Sequence, residues 1–509
     1  MNEKVGLPRY HDVYARDPLV EQNAFRIKKP DLSSPPSFAD SRHLLPQPYG
    51  NLLDSEIACY WKAWELAFAN LKAVSPENGF ISPFIDTAFN NCLFMWDSAF
   101  ILMFARYGSR AFNFQKTLDN FYAKQHADGF ICREIHEWDG QDQFHRYDPG
   151  STGPNVLPWC EWEYYCNFGD RQRLAEVFAP LLAYHRWMRS WRTWPDGSYW
   201  SNGWGCGMDN QPRLEPGLVA HINHGHMSWI DATAQAVLSG RVLLAMAKTL
   251  DRAGEVRDLG DEVQTLKNHI NQFMWDEQTN FYGDRRRDGS ISQVKTIGAY
   301  WTLLAEIVPE DRLEGFISHL RNPRTFNRPH RIPSLSADHP EYRADGGYWR
   351  GGVWPPTNYM ALRGLTRNGC DDLAYEIGLN HVAAVTKVFQ NTQTLWENYA
   401  PETVAAGGWA KGDFVGWGGL GPIAVLLEYV MGIRADVPNA TLTWDIRLTA
   451  EHGIRQYPYG AAGLLDLHVQ RRSDPTQSPE VKIKTTLPLT VQLSWPGGGR
   501  RTLQVVPQT

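Results

Sequence analysis

The chain has 509 residues, 43% of them hydrophobic and 13% aromatic, with 21 tryptophans and a net charge of −6. That length provides for one large domain and a smaller one, each with a core of its own. A negative balance without a basic stretch excludes nucleic acid as the main partner, and no run of about eighteen apolar residues marks a membrane span.

The opening, MNEKVGLPRYHDVYARDPLV, contains no apolar h-region, so a cytoplasmic protein is expected. The 7 cysteines are dispersed without CxxC pairs and fit reduced thiols. The sequon at Asn439 reads as chance. Residues 1–50, rich in Pro, Ser and charge, read as an extended arm wrapped on the main body.

From residue 51 to 435 the apolar spacing predicts helices near 52–75, 96–107, 109–125, 155–167, 170–193, 227–251, 254–274, 295–307, 309–321, 355–368, 370–390 and 416–432. Asp170 after Gly169 and Asp371 after the NGC run are candidate caps, and Pro355–Pro356 suit a first turn. Long loops at 128–154, 195–226, 322–354 and 391–415 mix aromatic with charged residues. Loops of that length are uncommon unless functional. Paired helices of this kind can close into a double ring with such loops around a central hollow; an open solenoid is the alternative. Residues 436–509 change texture: apolar and polar residues alternate in ATLTWDIRLT, GLLDLHVQRR, VKIKTTLPLTVQLSW and RTLQVV, with a hairpin-like turn at WPGGGR. They read as a small antiparallel β domain.

Three carboxylates lie in tryptophan-bearing motifs: Asp97 in FMWDSAF, Asp209 in GMDNQPR and Glu397 in TLWENYAPE. Splitting a glycosidic bond needs one protonated and one ionised carboxyl group. Apolar rings beside a carboxyl disfavour its charge and help it keep a proton. Flat rings also stack on sugar faces. The glycine-rich GGYWRGGVWPPTNYM places Tyr348, Trp349, Arg350 and Trp354 where a backbone can approach a ligand closely, and DFVGWGGLGP offers Trp417. In KQHADGFICREI, Gln125 and Arg133 are candidate polar ligands. His221, His224 and His226 lack a metal-site spacing, so no metal is expected, and neither a phosphate loop nor a dinucleotide fingerprint is present, so no cofactor is expected.

These motifs, taken in order over roughly residues 50–435, resemble glycoside hydrolase family 63, in particular its bacterial mannosylglycerate and glucosylglycerate hydrolase branch. They are more distantly similar to the trehalases of family 37. The resemblance implies an all-α (α/α)6 barrel and an inverting cleavage of an α-linked glucoside or mannoside. It implies Asp209 as general acid and Glu397 as general base. It implies sugar contacts from Trp96, Asp97, Gln125, Trp204, Trp349, Arg350 and Trp354. Tyr348 and Trp417, with Arg213 and Tyr399 inside the quoted motifs, complete the expected binding set. Gln211 and Leu214 depart from the family pattern at positions expected near the leaving group. The expected partner is a small carbohydrate. The alternatives are a sugar isomerase or epimerase working through His224 and His226, and an inactive carbohydrate-binding relative.

Overall fold

The computed structural model describes residues 16–50 and 53–507; the part of the expected arm before residue 16 lies outside the described residues. Each segment expected to be helical contains a helix: α1 Asp54–Ala69, α2 Met95–Ala105, α3 Thr117–Ala123, α4 Leu157–Phe168, α5 Arg171–Trp191, α6 Ile230–Thr249, α7 Arg257–Phe273, α8 Trp301–Leu304, α9 Glu310–Arg321, α10 Pro355–Arg367, α11 Asp371–Thr392 and α12 Leu420–Val430. Helices α3 and α8 are shorter than expected, each continuing a 3-10 turn, and α12 is π-helical.

Local chemistry accounts for the boundaries. The Asp170 carboxylate accepts the Arg173 N–H at 2.9 Å and caps α5. Pro355 opens α10, where its missing N–H costs nothing. Asp371 is not the cap of α11: that position is Cys370, and Asp371 lies in the first turn, where a negative charge still complements the helix dipole.

Burial sorts the helices into two sets. Every residue of α2 and of α12 is buried, as an all-round apolar helix requires. Helix α7 buries only Leu259, Leu266, His269 and Ile270, a single stripe. Helix α2 packs on α4, α4 on α6, α6 on α8, α8 on α10, α10 on α12, and α12 returns to α2. Outside this succession α7 lies on α6, α5 on α4 and α6, and α11 on α10 and α12. Helix α6 is long and apolar enough to cross a bilayer by those measures alone, but most of it is buried within this fold.

Toward the C-terminal ends of α2, α4, α10 and α12 a buried ionic network ties the helices together. Arg106 reaches Glu428 at 2.7 Å, Arg363 reaches both oxygens of Glu163 at 2.6 Å, and the Tyr359 hydroxyl donates to Glu428 at 3.0 Å. Burial alone would raise the Glu163 carboxyl, but the charges of Arg363, Arg106 and Arg367 bring it down to about 2.

The strands of three or more residues are β1 Gln47–Tyr49, β2 Cys92–Phe94, β3 Glu134–His136, β4 Ile433–Asp436, β5 Thr441–Asp445, β6 His452–Tyr459, β7 Gly463–Val469, β8 Val481–Thr485, β9 Leu489–Trp495 and β10 Gly499–Val505. Two sheets of four strands form the C-terminal part, in the orders β1-β6-β7-β8 and β10-β9-β5-β4. The WPGGGR turn joins β9 to β10 with Trp495 opposite Gly499. Two features depart from the expected antiparallel domain of residues 436–509. Strand β9 runs parallel to β5, with Val491 opposite Leu442. The sheets also take in β1 from the arm and β4, which begins before residue 436. The arm itself continues across the helices: Asn23 donates to the Tyr122 carbonyl of α3 at 2.9 Å.

Candidate active site

The chain enters α2, α4, α6, α10 and α12 through the long aromatic segments, and these meet around one cavity of about 340 Å³. All four long loops singled out in the sequence contribute to its wall, as does the segment leading into α2. Trp96, Asp97, Trp204, Asp209, Tyr348, Trp349, Trp354, Glu397 and Trp417 all line it.

Asp97 sits in the first turn of α2 and is 8% exposed. Burial raises its carboxyl well above the ordinary value, and the charges of Glu397 and Glu134 push the same way. Trp96 beside it keeps its indole N–H buried without a protein acceptor, a spare donor at the wall. Gly207 allows the acid loop to pass over this ring: its φ is +75°, and a Cβ there would stand 3.3 Å from Trp96 Nε1.

Asp209 follows the short helix Gly203–Cys206. Its carboxyl is raised, first by burial, while Arg133 and His221 oppose the rise. The His221 ring stacks on Trp204 at 5.2 Å. The neighbour Asn210 ties the acid loop to the glycine-rich loop, accepting the Trp349 N–H at 2.9 Å and donating to the Gly347 carbonyl at 3.1 Å.

Glu397 is 6% exposed. One carboxylate oxygen accepts the Tyr348 hydroxyl at 3.0 Å and the other accepts the Lys411 N–H at 3.1 Å. Burial raises this carboxyl; the two hydrogen bonds favour its charge, and Asp209 adds to the rise. Trp417 holds the backbone in place by donating to the Glu397 carbonyl at 2.9 Å. Tyr348 has a left-handed backbone, φ 64°, which aims its hydroxyl at Glu397 from a loop that must turn sharply. Trp349 and Trp354 stack face to face at 3.8 Å and form one wall.

Four residues expected to bind sugar do other work. Gln125 is buried, accepting from Asn23 at 2.9 Å and donating to the Gly129 and Pro180 carbonyls at 3.0 and 2.8 Å. Arg213 is 3% exposed and forks onto Asp231 and Asp284. Arg350 pairs with Glu341 at 2.8 Å and donates to the Asn210 carbonyl at 3.2 Å. Tyr399 is buried, its hydroxyl accepting the Trp396 N–H at 3.3 Å. Each is polar beside a motif, but a buried polar group takes whatever partner the fold brings. Gln211 likewise faces inward, bonded to Thr296 and the Ser334 carbonyl at 2.7 Å each. His224 and His226 pack about Trp194 and do not line the cavity.

Glu134, which no sequence motif singles out, also lines the cavity. Pairing of β2 with β3 places Glu134 opposite Phe94, beside the start of α2. Its carboxylate meets Arg133 Nη1 at 2.5 Å, and both residues line the cavity. Cys-Arg-Glu-Ile does not alternate apolar with polar residues, and a strand of three residues is too short to stand out. Among the described residues no cluster of His, Cys, Asp and Glu is arranged to hold a metal.

Residues 91–417 match the family model described as the mannosylglycerate hydrolase MGH1-like glycoside hydrolase domain. The chain belongs to this family. It is a glycosidase of the glycoside hydrolase family 63 type, with the expected relation to trehalases. A solved relative is the family 63 mannosylglycerate hydrolase from Thermus thermophilus in complex with glucose, 21% identical, with a TM-score of 0.59, covering 72% of this chain and 98% of that one. A probable mannosyl-oligosaccharide glucosidase of Schizosaccharomyces pombe is 25% identical over 48% of this chain and 34% of its own length. A periplasmic trehalase of Xanthomonas axonopodis is 29% identical over 34% of this chain and 30% of its own length. The chain thus spans about a third of the length of these two curated relatives.

Proposed function

We propose that this glycosidase cleaves an α-linked glucoside or mannoside of small size with inversion, on a closed (α/α)6 toroid, with Asp209 as general acid and Glu397 as general base. The observation that carries the reading is that Asp209 and Glu397, remote in sequence, open into one ring-walled cavity. The return of α12 to α2 supports the closed toroid.

The two carboxyls have different surroundings, which supports different roles. Glu397 accepts two hydrogen bonds that favour its ionised form. Asp209 is raised by burial and can keep a proton. In the proposed step that proton passes to the glycosidic oxygen as the C1–O bond breaks. Water attacks C1 from the opposite face and gives its proton to Glu397. Inversion calls for carboxyls roughly 6.5–9.5 Å apart, leaving room for the water. Asp97 and the spare Trp96 N–H are positioned to bond hydroxyls of the cleaved sugar, and Trp349 and Trp354 to wall its ring. The glucose bound to the Thermus relative and the glucosidase among the curated relatives favour a hexopyranose.

The test is a panel of α-linked disaccharides and glycosylglycerates followed by NMR. The β-anomer of the released sugar should appear first. Release of the α-anomer first would sink the inverting assignment, and near-normal turnover by Asp209→Asn or Glu397→Gln would sink the residue assignment.

A further inference from the structure

The charge lining the cavity is lopsided. Asp97, Glu134, Asp209 and Glu397 supply carboxyl groups, and Arg133 supplies the lining guanidinium. That guanidinium is already committed. Its Nη1 meets Glu134 Oε1 at 2.5 Å and its Nε donates to the Gly150 carbonyl at 2.6 Å. Its plane is held against Phe144, 4.7 Å from the ring centre, with Trp204 at 6.0 Å. The side chains of Arg133 and Glu134 are 13% and 6% exposed, so the pair is enclosed and weakly screened. Cations on the flanking loops are engaged as well: Arg350 pairs with Glu341 at 2.8 Å, and the Lys411 ammonium donates to the Ala88 carbonyl.

An anionic substrate entering this space would shed water without gaining a free cation. It would also approach Glu397, which the proposed reaction requires to be ionised. A guanidinium neutralised by an adjacent carboxylate has no net charge to offer, whereas a free one is well suited to grip a carboxylate.

We infer that Glu134 is a specificity-determining residue: by neutralising Arg133 it makes the cavity one for uncharged α-glycosides and turns away leaving groups that carry a carboxylate. This rests on the proposed hydrolytic site. It sets the chain apart from the glycerate conjugate in the family's name, and it assigns that difference to one side chain.

Matched ligands isolate the charge: α-glucosyl- and α-mannosylglycerol against the corresponding glycerates, which differ by a carboxylate in place of a hydroxymethyl group. For the wild type, kcat/KM for the better glycerol conjugate should exceed that for its glycerate partner by at least about tenfold, the factor that 1.4 kcal/mol produces. Glu134→Gln should shrink that ratio at least about tenfold, through a gain on the glycerate side. A wild type that prefers the glycerate form, or a soluble, folded Glu134→Gln variant whose ratio is unmoved, overturns the inference. Binding measured by calorimetry on Asp209→Asn needs no turnover and separates the two proposals. Tighter binding of the glycerol conjugates by this variant, together with a wild type that hydrolyses neither kind of conjugate, would sink the hydrolytic reading and uphold this one. Equal or tighter binding of the glycerates would sink this one whatever the enzyme hydrolyses. Failure to bind either ligand would overturn both.

Discussion

Arg213→Met removes the clamp that fixes the acid loop to the body of the fold. Arg213 Nη1 and Nη2 meet the two oxygens of Asp231 at 2.6 and 3.0 Å, and Nη2 and Nε meet those of Asp284 at 2.6 and 2.9 Å. The three side chains are each 1% exposed, and the guanidinium lies 4.0 Å from the centre of the Trp229 ring. Methionine keeps the length and the contact with Trp229 but leaves two buried carboxyls facing each other without a cation. Removing one partner of a buried ion pair costs about 3–5 kcal/mol. The expected loss is therefore about 4 kcal/mol, a large share of a typical stability of about 5–15 kcal/mol. Urea unfolding of both proteins at pH 7 measures it. Asp209 lies four positions before Arg213, so kcat should fall more than KM changes, and Arg213→Lys should recover only part of each effect because an ammonium cannot fork to two carboxylates. A loss under about 1 kcal/mol would refute the clamp.

Other outcomes follow from the same geometry. Tyr348→Phe removes a donor that favours ionised Glu397; the carboxyl should rise further, so the acidic limb of the pH–rate profile should move to higher pH while kcat drops about 10- to 100-fold, roughly 1.5–3 kcal/mol for a bond to a charged group. Asp209→Asn and Glu397→Gln should each lower kcat by at least about 100-fold, the low end for a general acid or base, with unchanged circular dichroism. Gly207→Ala meets a left-handed φ and the Trp96 indole, and should cost about 1–2 kcal/mol and weaken sugar binding, read by thermal melting and KM. Arg363→Met uncovers Glu163, whose folded value near 2 lies below the ordinary 4.5. Stability from that shift is complete above about 4.5 and lost as pH falls toward 2, so the gap between the two proteins should narrow over that window in unfolding curves.

The helices, their pairing and the aromatic loops are legible along the chain, because spacing of apolar residues and end signals such as Asp170 and Pro355 act within a few positions. That Asp209 and Glu397 are candidates for the cavity wall is legible too, since their motifs are long enough to stand out. Which polar side chains face the cavity is settled only by folding. Gln125, Arg213, Arg350 and Tyr399 look like ligands on the chain, yet Asn23, Asp284 and the Asn210 carbonyl, all remote in sequence, claim the first three, and the Tyr399 hydroxyl turns to the Trp396 N–H three positions back. Glu134 enters the wall only because β2 and β3 pair, and β5 finds β9 in parallel only when both pack as one sheet. Periodicity is a local property of a chain, whereas the partner that satisfies a buried charge or a strand edge is a property of its return path through space.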